Sequence, residues 1–259
     1  MLAERPPQVE PTKPGWDQKE MPFTEHLREL RNRLIVSLTT VGVLALGLFW
    51  PSQFVIRWLK TEYLPPNINL HAFAPTDVIF TEFKFSLYGA LVLGLPVLIF
   101  QAWMFVVPAI HPKTRRAVYG YIAPAFLLAL AGIAFCHFFI IRRVIGALIL
   151  ITGEIAESTF GIAPTMNLIL LTFLAFALIF QTPVVMVALA RIGLVNVRML
   201  RTYRRYAAMG ILLLGGLAAP DASPITMLLI AVPMYALYEI SIWLIVLLEK
   251  SWRRQGAGA

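Results

Sequence analysis

FSLYGALVLGLPVLIFQAWMFVV, residues 85–107, runs for 23 residues without a charge. A helix needs about 20 apolar residues to cross a hydrocarbon core of about 30 Å, so this stretch reads as a membrane span. Outward from it, apolar stretches recur at 34–50, 117–141, 166–190, 207–219 and 225–248. Those at 117–141, 166–190 and 225–248 are long enough to span. The stretch at 34–50 is shorter and borrows length from Asn32 and Arg33, whose side chains can snorkel. The one at 207–219 has 13 residues, about 20 Å of helix, and must end in a thinned bilayer or sit behind its neighbours. The composition agrees. The 259 residues are 59% hydrophobic and 14% charged, with a mean hydropathy of +0.74. That is too little charge for an ordinary soluble domain or a disordered chain.

Six spans put both ends on one side, and basic residues say which. Of 22 Lys and Arg, 17 fall in the segment up to Arg33, the loops 108–116 and 191–206, and the C-terminal tail. The other side holds only Arg57, Lys60, Lys84, Arg142 and Arg143. The expectation is therefore an all-α membrane protein with both termini cytoplasmic. Residues 1–21, polar and rich in Pro, read as a disordered tail, 22–250 as one six-helix membrane domain, and 251–259 as a second tail. The outer segments 51–84 and 142–165 contain amphipathic stretches suited to a periplasmic cap.

Several chemistries are excluded by what is missing. The single cysteine, Cys136, allows no internal disulfide framework and no Cys-based zinc site, and the four His are scattered without ligand spacing. No HExxH, GxSxG or phosphate-cradling Gly-rich loop is present, so neither a metal, a cofactor nor enzymatic catalysis is expected. The basic loop 191–206, with Tyr203 and Tyr206 among its arginines, is more simply a positive-inside loop than a nucleic-acid site.

Pro96, Gln101, Pro124, Gln181, Pro183, Pro233 and Glu239 lie within the expected spans. Interior prolines bend helices, which suits a curved wall with a concave face or simply reflects packing. Glu239 is the sharpest anomaly. A carboxylate at membrane depth faces protein or a cavity, in a functional role or in a pair with a basic residue such as Arg253. Gln181 either bonds across helices or serves partners. Glu25 and Glu29 stand four apart and share a helix face. They are either a solvated helix start or an acidic patch that receives guanidinium bidentately.

His26-Leu27-Arg28-Glu29-Leu30-Arg31-Asn32-Arg33 resembles the HLxELRxR signature of the TatC family, the core subunit of the twin-arginine protein translocase. Further matches follow in order. They are Pro75-Thr76-Asp77 through Phe83-Lys84, Gln101-Ala102-Trp103-Met104-Phe105-Val106-Val107-Pro108, Arg115-Arg116, Gly132-Ile133-Ala134-Phe135, Phe180-Gln181-Thr182-Pro183-Val184, Arg204-Arg205-Tyr206, and Ala231-Val232-Pro233-Met234-Tyr235 with Tyr238-Glu239-Ile240-Ser241. The resemblance covers about residues 22 to 250. It implies a glove-like six-helix shell with a periplasmic cap in the bacterial inner membrane. It also implies binding of Arg-Arg signal peptides of folded proteins, recruitment of TatA- and TatB-type partners, assembly into an oligomeric translocase, and export driven by the proton-motive force. By resemblance, Glu29 is one carboxylate of the arginine site, and Arg31 and Phe105 belong to the same cytoplasmic surface.

The departures from the family pattern carry their own expectations. Thr114 stands where members often have Glu, so Glu25 is the candidate second acid. Gln181 replaces an intramembrane Glu found in some members, and His137 replaces an aromatic hydroxyl. Pro220-Asp221 resembles the family's outer-turn Pro-Asp, although counting back from Pro233 puts that position on Ser223. Gly215 and Gly216 would let partner helices pack closely. The rival readings are a secondary transporter of a small solute and a membrane-embedded hydrolase. The first wants a repeat and several midplane charges, the second a nucleophile with a base or a metal set. Neither set is visible.

Overall fold

The computed structural model describes residues 23–66, 68–106, 120, 122–155, 159–191, 193–218 and 224–256. The expected tail 1–21 and the loop 108–116, with Thr114, Arg115 and Arg116, lie outside the described residues. So do Asp221 and Ser223.

The elements in chain order are α1 (Phe23–Phe49), α2 (Ser52–Tyr63), β1 (Leu70–His71), α3 (Asp77–Val106) and α4 (Ile122–Phe135). After α4, a π-helical stretch (Cys136–Ile141) leads into α5 (Arg142–Ile155). Then come β2 (Phe160–Gly161), α6 (Ile162–Ile179), α7 (Thr182–Arg191), α8 (Val197–Thr202), α9 (Arg204–Ala218) and α10 (Pro224–Gly256). The strands form one short parallel pair, Leu70 opposite Phe160 and His71 opposite Gly161.

Among the described residues, five helical stretches are long and apolar enough to cross a membrane: Thr24–Phe49, Asp77–Phe105, Ile122–Leu150, Ile162–Arg191 and Thr226–Glu249. They correspond to five of the six expected spans. The remaining one, α9, is a helix of 15 residues, about 22 Å long. The second span begins well before residue 85 because Asp77 starts its helix. The Asp77 carboxylate accepts from the backbone N–H groups of Phe73 and Ala74, at 2.9 and 3.0 Å, folding the preceding turn onto the helix start. The last helix continues past residue 250 to Gly256.

The prolines divide into two groups. Pro96 and Pro233 lie inside α3 and α10. Pro124, Pro183 and Pro224 instead stand in the first turns of α4, α7 and α10, where a missing N–H leaves no helical bond unmade. The fourth span breaks accordingly. The Gln181 N–H turns back to the Leu178 carbonyl at 3.0 Å, and Pro183 starts the next segment.

Lipid offers no hydrophobic drive between helices, so close packing and polar bonds must hold them. α1 packs along α3, α3 on α4 and α6, α4 on α6, α7 on α10, and α9 on α10. At Gly132 on α4, an added Cβ would come within 2.6 Å of the Phe176 carbonyl oxygen on α6, so only glycine permits that approach. Gly215 on α9 is used similarly within the chain, with a Cβ there meeting the Met227 carbonyl of α10 at 3.0 Å. The outward faces are apolar. Leu38 and Leu46 on α1 and Trp50 just past its end are 70, 80 and 93% exposed, as suits side chains that face lipid.

α2, the π-helical stretch, α5 and α6 meet in the buried cluster of Leu59, Tyr63, Ile140, Ile141, Val144, Met166 and Ile169. Tyr63 of α2 hydrogen-bonds His137 Nδ1 in the π-helical stretch, and the His137 ring stacks on Trp58, centroids 5.9 Å apart. Arg142 and Glu62 form an ion pair beside it. Burial pushes the Tyr63 hydroxyl above its ordinary range, so it stays protonated and able to donate.

Candidate functional site

The start of α1 and the end of α3 run antiparallel and meet around Arg33. Its guanidinium forks: Nη2 donates to Glu29 Oε1 at 3.1 Å and Nη1 donates to Gln101 Oε1 at 3.1 Å. The Glu29 and Arg33 side chains are 17 and 24% exposed. One turn earlier, the His26 ring lies on the Phe105 ring, 4.4 Å between centroids and 20° from parallel. The helical period explains the grouping. His26, Glu29 and Arg33 fall at i, i+3 and i+7, and Gln101 and Phe105 are four apart on α3.

Glu29 and Phe105 are therefore brought to one surface. Glu25 sits a turn before Glu29 and is exposed, and no hydrogen bond or ion pair reaches its carboxylate among the described residues. Arg31 is two positions from Glu29, about 200° around the helix. It is exposed, and among the described residues it reaches only Asn32 Oδ1, at 3.5 Å. The sequence alone does not mark residues 26, 33 and 101 as site members: Arg33 reads as a snorkelling side chain and Gln101 as a polar exception within its span. The Glu29–Arg33 spacing was the available signal for an ion pair.

The remaining candidates lie elsewhere. Gln181 is buried at the break between α6 and α7, where its Nε2 donates to the Ala125 carbonyl at 3.0 Å. Its Oε1 is buried with no partner among the described residues. Glu239 is paired, with Arg204 as its cation: Arg204 Nη2 donates to Oε2 at 2.7 Å and the Tyr235 hydroxyl donates to Oε1 at 3.1 Å. Glu239 thus stands beside the start of α9, level with the basic 201–205 segment, and ties α9 to α10. Asp221 lies outside the described residues. No group of His, Cys, Asp and Glu able to hold a metal occurs among the described residues.

The geometry is thus a polar knot between two spans, with the exposed Glu25 one turn away. Comparison with known proteins gives the family. The family described as Sec-independent protein translocase protein (TatC) matches residues 25–233. The chain belongs to the TatC family. The TatC protein of Aquifex aeolicus is 31% identical over 228 residues, 86% of this chain and 94% of that protein. That of Halalkalibacterium halodurans is 32% identical over 233 residues, 88% of this chain and 90% of that protein. A crystal structure of the twin arginine translocase receptor TatC in DDM superposes with a TM-score of 0.75 at 29% identity, covering 85% of this chain and 99% of that one. As a TatC family member, the chain is a membrane-embedded component of a Sec-independent protein translocase, a transport subunit and not an enzyme.

Proposed function

We propose that this chain is the signal-peptide receptor and core subunit of a twin-arginine translocase, with six spans and both termini cytoplasmic. The observation that carries the reading is the half-buried Glu29 carboxylate, held at the α1–α3 junction by a guanidinium that belongs to the chain itself. An incoming arginine of the signal peptide meets a carboxylate already placed for a guanidinium. It takes Oε2 or displaces Arg33 onto Gln101, which already shares it. The second arginine binds the exposed Glu25, one turn away. The apolar part of the signal lies along the wall near Phe105, while Arg31 stands on the other side of α1 from Glu29 and is not part of the arginine site.

Partner recruitment follows from the other features. The short α9 thins the bilayer at a cost of fractions of a kcal/mol per Å and seats TatA- and TatB-type helices. The orphaned Gln181 oxygen offers them a polar contact inside a concave, glove-like shell. Asp221 contributes at the outer turn, and Glu239 keeps α9 in place against α10. The receptor oligomerises within the translocase in the bacterial inner membrane, and the proton-motive force drives export.

The test is binding of a fluorescent signal peptide to the purified protein, comparing Arg-Arg with Lys-Lys peptides and wild type with Glu29→Ala and Glu25→Ala. Arg-Arg selectivity lost in Glu29→Ala supports the receptor role, and a further loss in Glu25→Ala supports the second acid. Wild-type binding that ignores the arginines, with TatB-type partner present, refutes it.

A further inference from the structure

At the opposite end of α3 from Gln101, a cavity of about 320 Å³ opens between α2 and α3. Gln53, Ile56 and Arg57 line it from α2, and Val78, Thr81 and Glu82 from α3. Both sets fall at i, i+3 and i+4, so one face of each helix looks into the space. Glu82 is only 6% exposed. Among the described residues no hydrogen bond or ion pair reaches its carboxylate. Arg57 lines the same cavity from an exposed position and forms no ion pair with it among the described residues. The Glu82 side chain is thus largely covered by protein while its carboxylate opens onto this space, where a cationic group from outside the chain can meet it.

The position narrows what that group is. Glu82 stands 19 residues before Gln101 on one helix, about 28 Å along its axis, which is close to the thickness of the hydrocarbon core. The cavity therefore sits at the membrane surface opposite the Arg33 knot. Its surroundings are apolar and outward-facing: Phe54 is 77% exposed, Ile79 61%, and Phe80 and Phe83 each 58%. One cavity thus holds a largely covered acid, an exposed arginine at its edge and the neutral Gln53 side chain, with acyl-chain-like surface around it.

We propose that this cavity is a headgroup site for a bilayer phospholipid bearing a primary amine, of the phosphatidylethanolamine class. The ammonium enters toward Glu82 and donates to its carboxylate. The phosphate remains at the edge with Arg57, whose planar fork suits phosphate oxygens. Gln53 supplies neutral bonds between them, the Thr81 hydroxyl, whose proton is held by the Asp77 carbonyl at 2.6 Å, can accept from the ammonium, and the acyl chains lie over Phe54, Phe80 and Phe83. A choline headgroup has a cation but no N–H to donate, and a glycerol headgroup has hydroxyl donors but no cation, so only the primary ammonium offers Glu82 a charge-assisted hydrogen bond.

Native mass spectrometry of the purified full chain tests this. Phosphatidylethanolamine, phosphatidylcholine and phosphatidylglycerol of identical chains are added at equal concentration. Wild type should retain the ethanolamine lipid about tenfold better than the other two, the scale of one charged hydrogen bond. Glu82→Gln, which keeps the side-chain shape and removes the charge, should abolish that preference, and glycerol-lipid retention should hold or rise as the like charge is removed. Arg57→Gln, at an exposed position, should weaken all three. Thermal melts of both variants confirm that the fold is kept. Equal retention of the three lipids, or an ethanolamine preference that survives Glu82→Gln, overturns the proposal. So does displacement of the lipid by equimolar soluble O-phosphoethanolamine, which would make the ligand a free headgroup.

Discussion

Arg33 reaches from the first helix to Gln101 near the end of the third, with Nη1 3.1 Å from the amide oxygen. The same guanidinium holds Glu29. Gln101 is 8% exposed, so the acceptor that shares Arg33 is a buried one. Gln101→Leu should remove this bond without moving the Glu29–Arg33 pair. The expected loss is about 1 kcal/mol of stability, read as a lower melting temperature in detergent, with Arg33 competing more strongly for Glu29 and signal-peptide affinity falling.

Glu239 accepts from both Arg204 and Tyr235. Both of its partners are at least partly exposed, which limits the strength of the pair. Glu239→Leu should destabilise the α9–α10 contact by about 1–2 kcal/mol, and Glu239→Gln by less. Disulfide trapping between cysteines placed on α9 and α10 would report the loosening as a fall in crosslinking yield.

The Tyr63–His137 bond holds α2 against the π-helical stretch. Tyr63 is raised in the folded state by burial first, and then by nearby negative groups. A raised pKa contributes stability that is fully present below the unfolded value, about 10 for tyrosine, and is lost as pH rises through the folded value. Wild type should therefore lose stability on going from pH 9 to pH 11 in a way that Tyr63→Phe does not. Equal alkaline loss in both proteins would count against the link.

Gly132 faces the Phe176 carbonyl across α4 and α6, where a Cβ would sit 2.6 Å away. Backbone cannot yield as a flexible side chain does. Gly132→Ala should cost about 1–3 kcal/mol through forced separation of the helices, whereas Gly42→Ala on α1, with open space around it, should change the melting temperature little.

Much of this architecture is legible in the residues because lipid imposes a simple rule on the backbone. Uncharged runs marked the spans, and the short 207–219 run marked α9. Boundaries were less legible. Asp77 begins its helix through side-chain bonds to Phe73 and Ala74, a local capping arrangement that hydropathy does not see. Pro124 and Pro183 looked like interior breakers and proved to be first-turn residues. At the site, the acids could be read from their spacing and family resemblance. The roles of Arg33, Gln101 and His26 depend on which helix lies opposite, and spacing within one helix cannot show that. Glu239 was recognised as unusual for its depth, but its cation is 35 positions away, on a helix whose placement only the fold reveals.

The most direct test of the receptor reading is a double-mutant cycle between Glu29→Gln in the protein and Arg→Gln at each of the two signal-peptide arginines. Binding is measured to protein held in nanodiscs. Direct contact predicts a coupling of about 1.5–3 kcal/mol with one arginine, the scale of a charge-assisted hydrogen bond. Additive losses at both arginines, with no coupling to Glu29, would contradict the account.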